Sequence, residues 1–112
     1  FHDTRGTALV NVLAGLESGI SIYDSSLGGM GGCPYAPGAA GNLATEDLVY
    51  LLHGLGCDTG IDLDRLVDAG LLAQELLGKT LPGRYLGAAL GKRQKGCPAV
   101  ESCADGSGSA VR

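Results

Sequence analysis

A chain of 112 residues supports at most one domain. Its hydrophobic fraction of 45% is ordinary for a globular protein, but its 20 glycines are more than twice the average usage. The charge is uneven: residues 1–78 hold ten acids against Arg5 and Arg65 (−8), residues 79–112 hold six bases against Glu101 and Asp105 (+4), and the net is −4. So acidic a body argues against a nucleic-acid partner, which needs a basic face to neutralise phosphates. No run reaches the roughly 18–20 apolar residues of a membrane span. The opening residues also lack the basic and apolar segments of a secretory signal.

The chain opens at FHDT, without an initiator Met and with His2 as its first chemistry-bearing residue, and the expectation is a fragment of a longer polypeptide in preference to a processed product. Residues 7–18 place Leu9, Val12, Leu13 and Leu16 at i, i+3, i+4, i+7, the spacing of an amphipathic helix. Gly6 and Thr7 supply its start and Gly19 its end. GISIYDSS follows, rich in Ile and Tyr, and predicts a short buried strand. Helix, strand and then an elaborate loop off the strand's C-terminal end is the grammar of α/β proteins, which build their sites at that end.

The loop is the focus of the chain. Residues 24–42, DSSLGGMGGCPYAPGAAGN, contain six glycines, two prolines and one cysteine. A loop that long inside a compact domain is functional or disordered. Met30, Cys33 and Tyr35 among its glycines, with almost no charge, are unlike a flexible linker. Glycine at this density lets backbone take positive φ and approach a ligand closely. Pro34 pushes Cys33 out of helical geometry toward an extended one. The expectation is a shaped loop that presents one thiol.

Beyond the loop, Thr45 is a good N-cap, with Glu46 and Asp47 in the first turn favouring the helix dipole. Leu48, Leu51, Leu52 and Leu55 form that helix's apolar stripe, and Gly54 and Gly56 end it. Asp62 caps a further helix through about Leu77, with Leu66, Val67, Leu72, Ala73, Leu76 and Leu77 as its apolar positions. Gly70 inside it costs about 1 kcal/mol relative to Ala. Pro82-Gly83 is a break, RYLGAAL one more short turn of helix, and the polar, Gly/Ser-rich residues 91–112 a loosely held, disordered tail. Lys92, Arg93 and Lys95 then read as a solvated basic cluster.

Four cysteines, Cys33, Cys57, Cys97 and Cys103, form no CxxC pair, which disfavours a zinc ribbon or a thioredoxin-type site. They are also too sparse for a disulfide framework, so a reducing compartment fits better. Cys57 reads as a small buried hydrophobe after a helix end. One strand with three or four helices closes no α/β fold, because both edges of the strand stay unpaired. His2 at a strand end, Cys33 in the glycine loop and Asn42 closing that loop are each unremarkable alone; together they are more specific.

The run FHDTRGTALVNVLAGLESGISIYDSSLGGMGGCPYAPGAAGNLATEDLVYLLHGLG resembles the C-terminal part of the hydroxymethylglutaryl-CoA lyases, with similarity in register over about residues 1–78. The resemblance implies an α/β fold, the C-terminal fragment of a TIM (β/α)8 barrel: the end of strand 7, helix 7, strand 8, the signature loop, helix 8 and a C-terminal helical extension. On this reading residues 1–90 are the barrel portion with its extension, and residues 91–112 the tail. His2 resembles the second histidine of the family's His-x-His metal pair, whose first member falls before Phe1. Asn42 matches the asparagine that completes the metal site, Cys33 the loop cysteine of proton transfer, and Gly31, Gly32 and Gly41 the loop glycines at the substrate. The family's metal-binding Asp, catalytic Arg and Glu lie on early strands outside this sequence.

The implied activity is retro-Claisen cleavage of 3-hydroxy-3-methylglutaryl-CoA to acetyl-CoA and acetoacetate, with Mg²⁺ or Mn²⁺ as cofactor. An acyl-CoA is then the substrate, and neither nucleic acid nor membrane is a partner. The intact enzyme is a candidate homo-oligomer of a bacterial cytoplasm or a mitochondrial matrix. Two alternatives stand beside it: a condensing enzyme of the same barrel group (isopropylmalate or homocitrate synthase-like), and a non-catalytic fragment. Asp3-Thr4 after His2, where condensing relatives carry Asn, favours the lyase branch. Two departures, Arg5 where the family has an aromatic and Leu27-Gly28-Gly29-Met30 where it has Val-Ala-Gly-Leu, leave the choice among homologous acyl-CoAs open.

Overall fold

The computed structural model describes residues 1–33 and 36–104. Four helices carry most of it: α1 (Ala8–Glu17), α2 (Thr45–Gly54), α3 (Leu63–Leu77) and α4 (Arg84–Ala104). Between α1 and α2 lie a 3₁₀ turn (Leu27–Gly29) and two short antiparallel strands, β1 (Gly32–Cys33) and β2 (Ala36–Ala40).

α1 starts where the Asp3 carboxylate accepts the Ala8 backbone N–H at 3.1 Å. Ala8, Val12 and Gly15 face inward, while Leu13 of the predicted stripe stays largely in solvent. Gly15 makes room for Tyr23, because a Cβ there would sit 2.8 Å from the Tyr23 hydroxyl and force the ring to shift. That hydroxyl donates to Ile20 O at 2.9 Å or to Val12 O at 3.3 Å, and so folds the following segment back on the helix.

The short buried strand expected at residues 19–26 does not form. Residues 20–25 take no strand pairing among the described residues, only Ser26 bridges to a neighbour (Ala44), and Ile22 is 84% exposed. The physical reason is the one that makes a lone strand untenable: its amides and carbonyls need an adjacent chain.

α2 begins at Thr45, which is its first residue and not its cap; Ala44 occupies the cap position with no side-chain hydrogen bond. The Thr45 hydroxyl is taken instead by Ser25 Oγ at 2.7 Å. Leu48 and Val49 are buried and Leu55 is turned outward. Asp47 reaches across to cap α4, accepting the Tyr85 N–H at 2.7 Å and the Arg84 N–H at 3.3 Å. The Tyr50 and Tyr85 rings then meet with centroids 5.1 Å apart.

α3 follows the sequence closely at both ends. Asp62 accepts the N–H groups of Asp64 and Arg65 at 3.0 and 3.2 Å, and Gly78 ends the helix at φ +66°. Its buried stripe is narrower than expected: Val67 is covered, whereas Leu72, Leu76 and Leu77 are exposed. α4 is longer than the short turn read from RYLGAAL and continues through the expected tail to Ala104, with Leu, Ala, Lys, Arg and Gln around Gly87 and Gly91 in its first half. Residues 105–112 of that tail lie outside the described residues. Arg93 of the basic cluster pairs with Asp68 on α3 at 2.7 Å, an exposed contact of small energetic weight.

The core has two clusters. Ala8, Val12, Leu43 and Leu48 hold α1 to α2; Val67, Leu81 and Leu86 hold α3 to α4. Among the described residues no helix is long and apolar enough to cross a membrane.

Candidate functional site

Residues 41–45, which lead from the glycine loop into α2, thread between two other segments. On one edge the Asp3 N–H donates to Gly41 O at 2.9 Å and the Leu43 N–H to Phe1 O at 3.3 Å. On the other, the Ser26 N–H donates to Leu43 O at 2.8 Å and the Thr45 N–H to Ser26 O at 2.9 Å. The first pair of bonds brackets His2 and Asn42, which stand opposite one another as an antiparallel bridge. Because the bonds flank the pair and do not join it, this is the close type of antiparallel pairing, with Cα atoms about 4.5 Å apart and both side chains on one face. Forty residues separate the two in sequence, and the backbone alone sets them side by side.

The Asn42 side chain is fixed as well. Its Nδ2 donates to the Met30 carbonyl at 2.8 Å, which leaves Oδ1 as the acceptor end of the amide. Gly31 lies beneath that amide at φ +100°, and a Cβ on it would fall 2.5 Å from Nδ2. The Asn42–Met30 bond ties the two feet of the β1–β2 hairpin together, with Gly31 and Gly32 on one side and Gly41 on the other. Gly41 is buried, whereas Gly31 and Gly32 are exposed. Gly32 pairs with Ala40, and Cys33 pairs with Ala36. Cys33 thus has the extended backbone that its following proline implied, while Pro34 and Tyr35 themselves lie outside the described residues.

Of the sequence-derived candidates, His2 and Asn42 are brought into direct apposition, Gly31 packs on Asn42, and Gly32 and Gly41 mark the hairpin feet. Cys33 stands further out along the hairpin, in register with Ala36. Among the described residues no three His, Cys, Asp or Glu side chains cluster as a metal site. Cys57 is exposed in the loop after α2 and not buried as expected, because the turn through Gly54, Leu55 and Gly56 (φ +87°) carries it off the core.

Sequence reasoning missed Glu46. It has no exposed surface, and both of its carboxylate oxygens accept the Gly28 N–H, at 2.8 and 3.0 Å. Gly28 is held on its other side too, since its carbonyl accepts the Gly83 N–H at 2.8 Å. Burial raises the Glu46 pKa and the Gly28 amide opposes that rise. The residue anchors the turn that ends at Met30. A Glu in the first turn of a helix reads as a dipole partner, and only the facing glycines, Gly28 and Gly70, hint that it points inward.

A family model described as HMGL-like matches residues 1–72. The chain is 52% identical over 86 residues to the Bacillus subtilis protein named hydroxymethylglutaryl-CoA lyase YngG, an alignment covering 77% of this chain and 29% of that one. It is 59% identical over 80 residues to the mitochondrial hydroxymethylglutaryl-CoA lyase of Homo sapiens, covering 70% and 25%. A crystal structure of hydroxymethylglutaryl-CoA lyase from Pseudomonas aeruginosa superposes with a TM-score of 0.79 at 53% identity, over 82% of this chain and 31% of that one. The chain therefore spans less than a third of the length of each.

Proposed function

The chain belongs to the HMGL-like family, and from that premise we propose that its residues form the C-terminal part of a hydroxymethylglutaryl-CoA lyase. The proposed setting is the last segment of a (β/α)8 barrel, running from the end of strand 7 through helix 8, with residues 91–112 as an appendage. Residues that in this family lie on earlier strands supply the rest of the site. The observation that carries the reading is the His2–Asn42 bridge, which sets an imidazole and an amide oxygen on one face at the base of the loop.

These two side chains fit a hard divalent ion, Mg²⁺ or Mn²⁺: Asn42 has its nitrogen committed to Met30 and offers an oxygen, and His2 offers a ring nitrogen. Such an ion supplies Lewis-acid polarisation of the substrate's C3 oxygen and orients the acyl-CoA. In the proposed reaction a base removes the C3 hydroxyl proton and the C2–C3 bond breaks. The bonding pair moves onto the thioester carbon chain as an enolate, and acetoacetate is released. Protonation of that enolate at carbon gives acetyl-CoA. Cys33 is assigned a proton-transfer role on the hairpin, since a thiol with an ordinary pKa near 8.5 exchanges a proton readily at neutral pH. Gly31, Gly32 and Gly41 shape a loop that closes over substrate and excludes water. Asp3 helps by bonding on two sides, through its N–H to Gly41 O and its carboxylate to the Ala8 N–H, so that His2 is fixed to both the loop foot and α1.

The bacterial and mitochondrial relatives make a bacterial cytoplasm or a mitochondrial matrix the proposed compartment. The test is titration of the full-length protein and its His2→Ala and Asn42→Ala variants with Mn²⁺, together with turnover of 3-hydroxy-3-methylglutaryl-CoA. Weakened metal binding and lost turnover in both variants are expected. Parent-like Mn²⁺ affinity in both would overturn the ligand assignment.

A further inference from the structure

Asparagine is a two-faced ligand. Rotated by half a turn about its last bond, the same amide presents N–H groups to a cation in place of oxygen, and attraction becomes repulsion. A site that uses Asn42 therefore needs something to choose the orientation. The Met30 carbonyl, 2.8 Å from Nδ2, makes that choice, because an oxygen at the Nδ2 position would face another oxygen.

The carbonyl is itself held. The Met30 N–H bonds Leu27 O and the Gly29 N–H bonds Ser26 O, each at 3.0 Å. The turn between them is gripped by Glu46 through Gly28. The space for the amide is equally specific: Gly31 is in the left-handed φ region, and a Cβ would come within 2.5 Å of Nδ2, closer than any real contact.

We infer that Met30 and Gly31 are positioning residues for Asn42, the first by orienting its amide and the second by leaving the room that this orientation occupies. The inference rests on the assignment of Asn42 as a metal ligand and adds what makes it one. Groups that orient a metal ligand typically matter by 10- to 100-fold in metal affinity.

Two readings of Gly31 differ in outcome. If the glycine serves only the turn, its substitution lowers the unfolding midpoint and leaves the affinity of the folded protein for metal alone. If it positions Asn42, affinity falls in protein that is still folded. A second variant needs no change at Gly31. Asn42→Asp brings a negative charge toward a cation, which by charge alone tightens binding, but it also sets a carboxylate oxygen against the Met30 carbonyl.

The experiment is Mn²⁺ binding by calorimetry on the full-length protein and its Gly31→Ala, Asn42→Asp and Asn42→Ala variants, with thermal unfolding recorded for each. The expected result is affinity lowered about 10- to 100-fold in Gly31→Ala and no tighter than the parent in Asn42→Asp. Tighter binding by Asn42→Asp overturns the role of Met30, parent-like affinity in folded Gly31→Ala overturns the role of Gly31, and Asn42→Asp alone decides the inference if Gly31→Ala does not fold. Parent-like affinity in Asn42→Ala overturns the underlying ligand assignment, and the inference with it.

Discussion

Glu46 and Gly28 meet in the interior, the carboxylate of one closed on the backbone amide of the other at 2.8 and 3.0 Å. Eighteen residues apart, they join the first turn of α2 to the 3₁₀ turn of the loop. Glu46→Ala orphans a buried N–H, an effect of about 1–3 kcal/mol, before any loss from the cavity it leaves. Glu46→Gln keeps an acceptor for Gly28 and is expected to be the milder change. Denaturant midpoints of the two variants of the full-length protein check that order.

The same pair sets a pH dependence. Burial holds the Glu46 carboxyl above its ordinary value of 4.5, against the opposing pull of the Gly28 amide. Between pH 4.5 and the higher folded value, the native chain keeps a proton that the unfolded chain has released. The contribution is therefore full below pH 4.5 and is lost as pH rises through the folded pKa. Relative to Glu46→Gln, which cannot titrate, the parent is expected to lose stability across that window. Parallel pH profiles of unfolding for the two proteins would count against it.

Gly70 gives a case in which two effects point in opposite directions. Helix propensity alone favours Gly70→Ala by about 1 kcal/mol. A Cβ there would lie 2.8 Å from a Leu86 methyl and 3.1 Å from a Glu46 carboxylate oxygen, with both side chains completely buried. Overpacking of this kind costs about 1–3 kcal/mol. The crowding is expected to win, so Gly70→Ala should lower the unfolding midpoint. A raised midpoint would show that Leu86 moves aside freely.

Legibility in the sequence followed the range of the interaction. The Asp62 cap and the end of α3 at Leu77 are local features and were read from the sequence, whereas the left-handed Gly78 that closes the helix was not singled out. Thr45 also carries a local cap signal, yet its hydroxyl is claimed by Ser25, twenty residues earlier. The strand expected at residues 19–26 failed for a related reason: its pattern describes what Ile20 and Ile22 need, not whether a neighbour is present to supply it. At the candidate site, His2 and Asn42 were singled out by residue type and resemblance, but their pairing is visible only once residues 1–3 lie along residues 41–43. The inward turn of Glu46 depends on glycines in the loop and in α3, which no single helix pattern reveals.

The exposed apolar residues predict how the 112-residue chain behaves by itself. Ile22 is 84% exposed and Val10 67%, with Phe1, Leu13 and Ile20 also uncovered on the α1 side, and Leu76 is 78% exposed on α3. Apolar side chains left in water favour association. The isolated chain is expected to self-associate, to unfold over a broad thermal range and to lack lyase activity. Sedimentation and calorimetry check this, and a sharp transition from a monomer would contradict it.

Cys33 carries the last prediction, which the exposure of Cys57 changes in form. An alkylating agent meets more thiols than Cys33: Cys57 is exposed in the loop after α2, and the sequence also carries Cys97 and Cys103. Labelling alone therefore says little. The informative protein is the full-length protein carrying Cys57→Ser, Cys97→Ser and Cys103→Ser, substitutions far in sequence from the candidate site, in which loss of activity is followed against modification of Cys33 identified by peptide mapping. Alkylation of Cys33 is expected to abolish turnover, and a bound substrate analogue to slow it, since a closed loop shields the thiol. Cys33→Ser is expected to bind Mn²⁺ as the parent does, because His2 and Asn42 are untouched. It should turn over about 10²- to 10⁴-fold more slowly, the usual effect of removing a positioned proton-transfer group. The sign follows from acidity, since a serine hydroxyl is a far weaker acid than a thiol. A Cys33→Ser enzyme within a few-fold of the parent rate would end the proton-transfer role and leave the cysteine as packing in the hairpin.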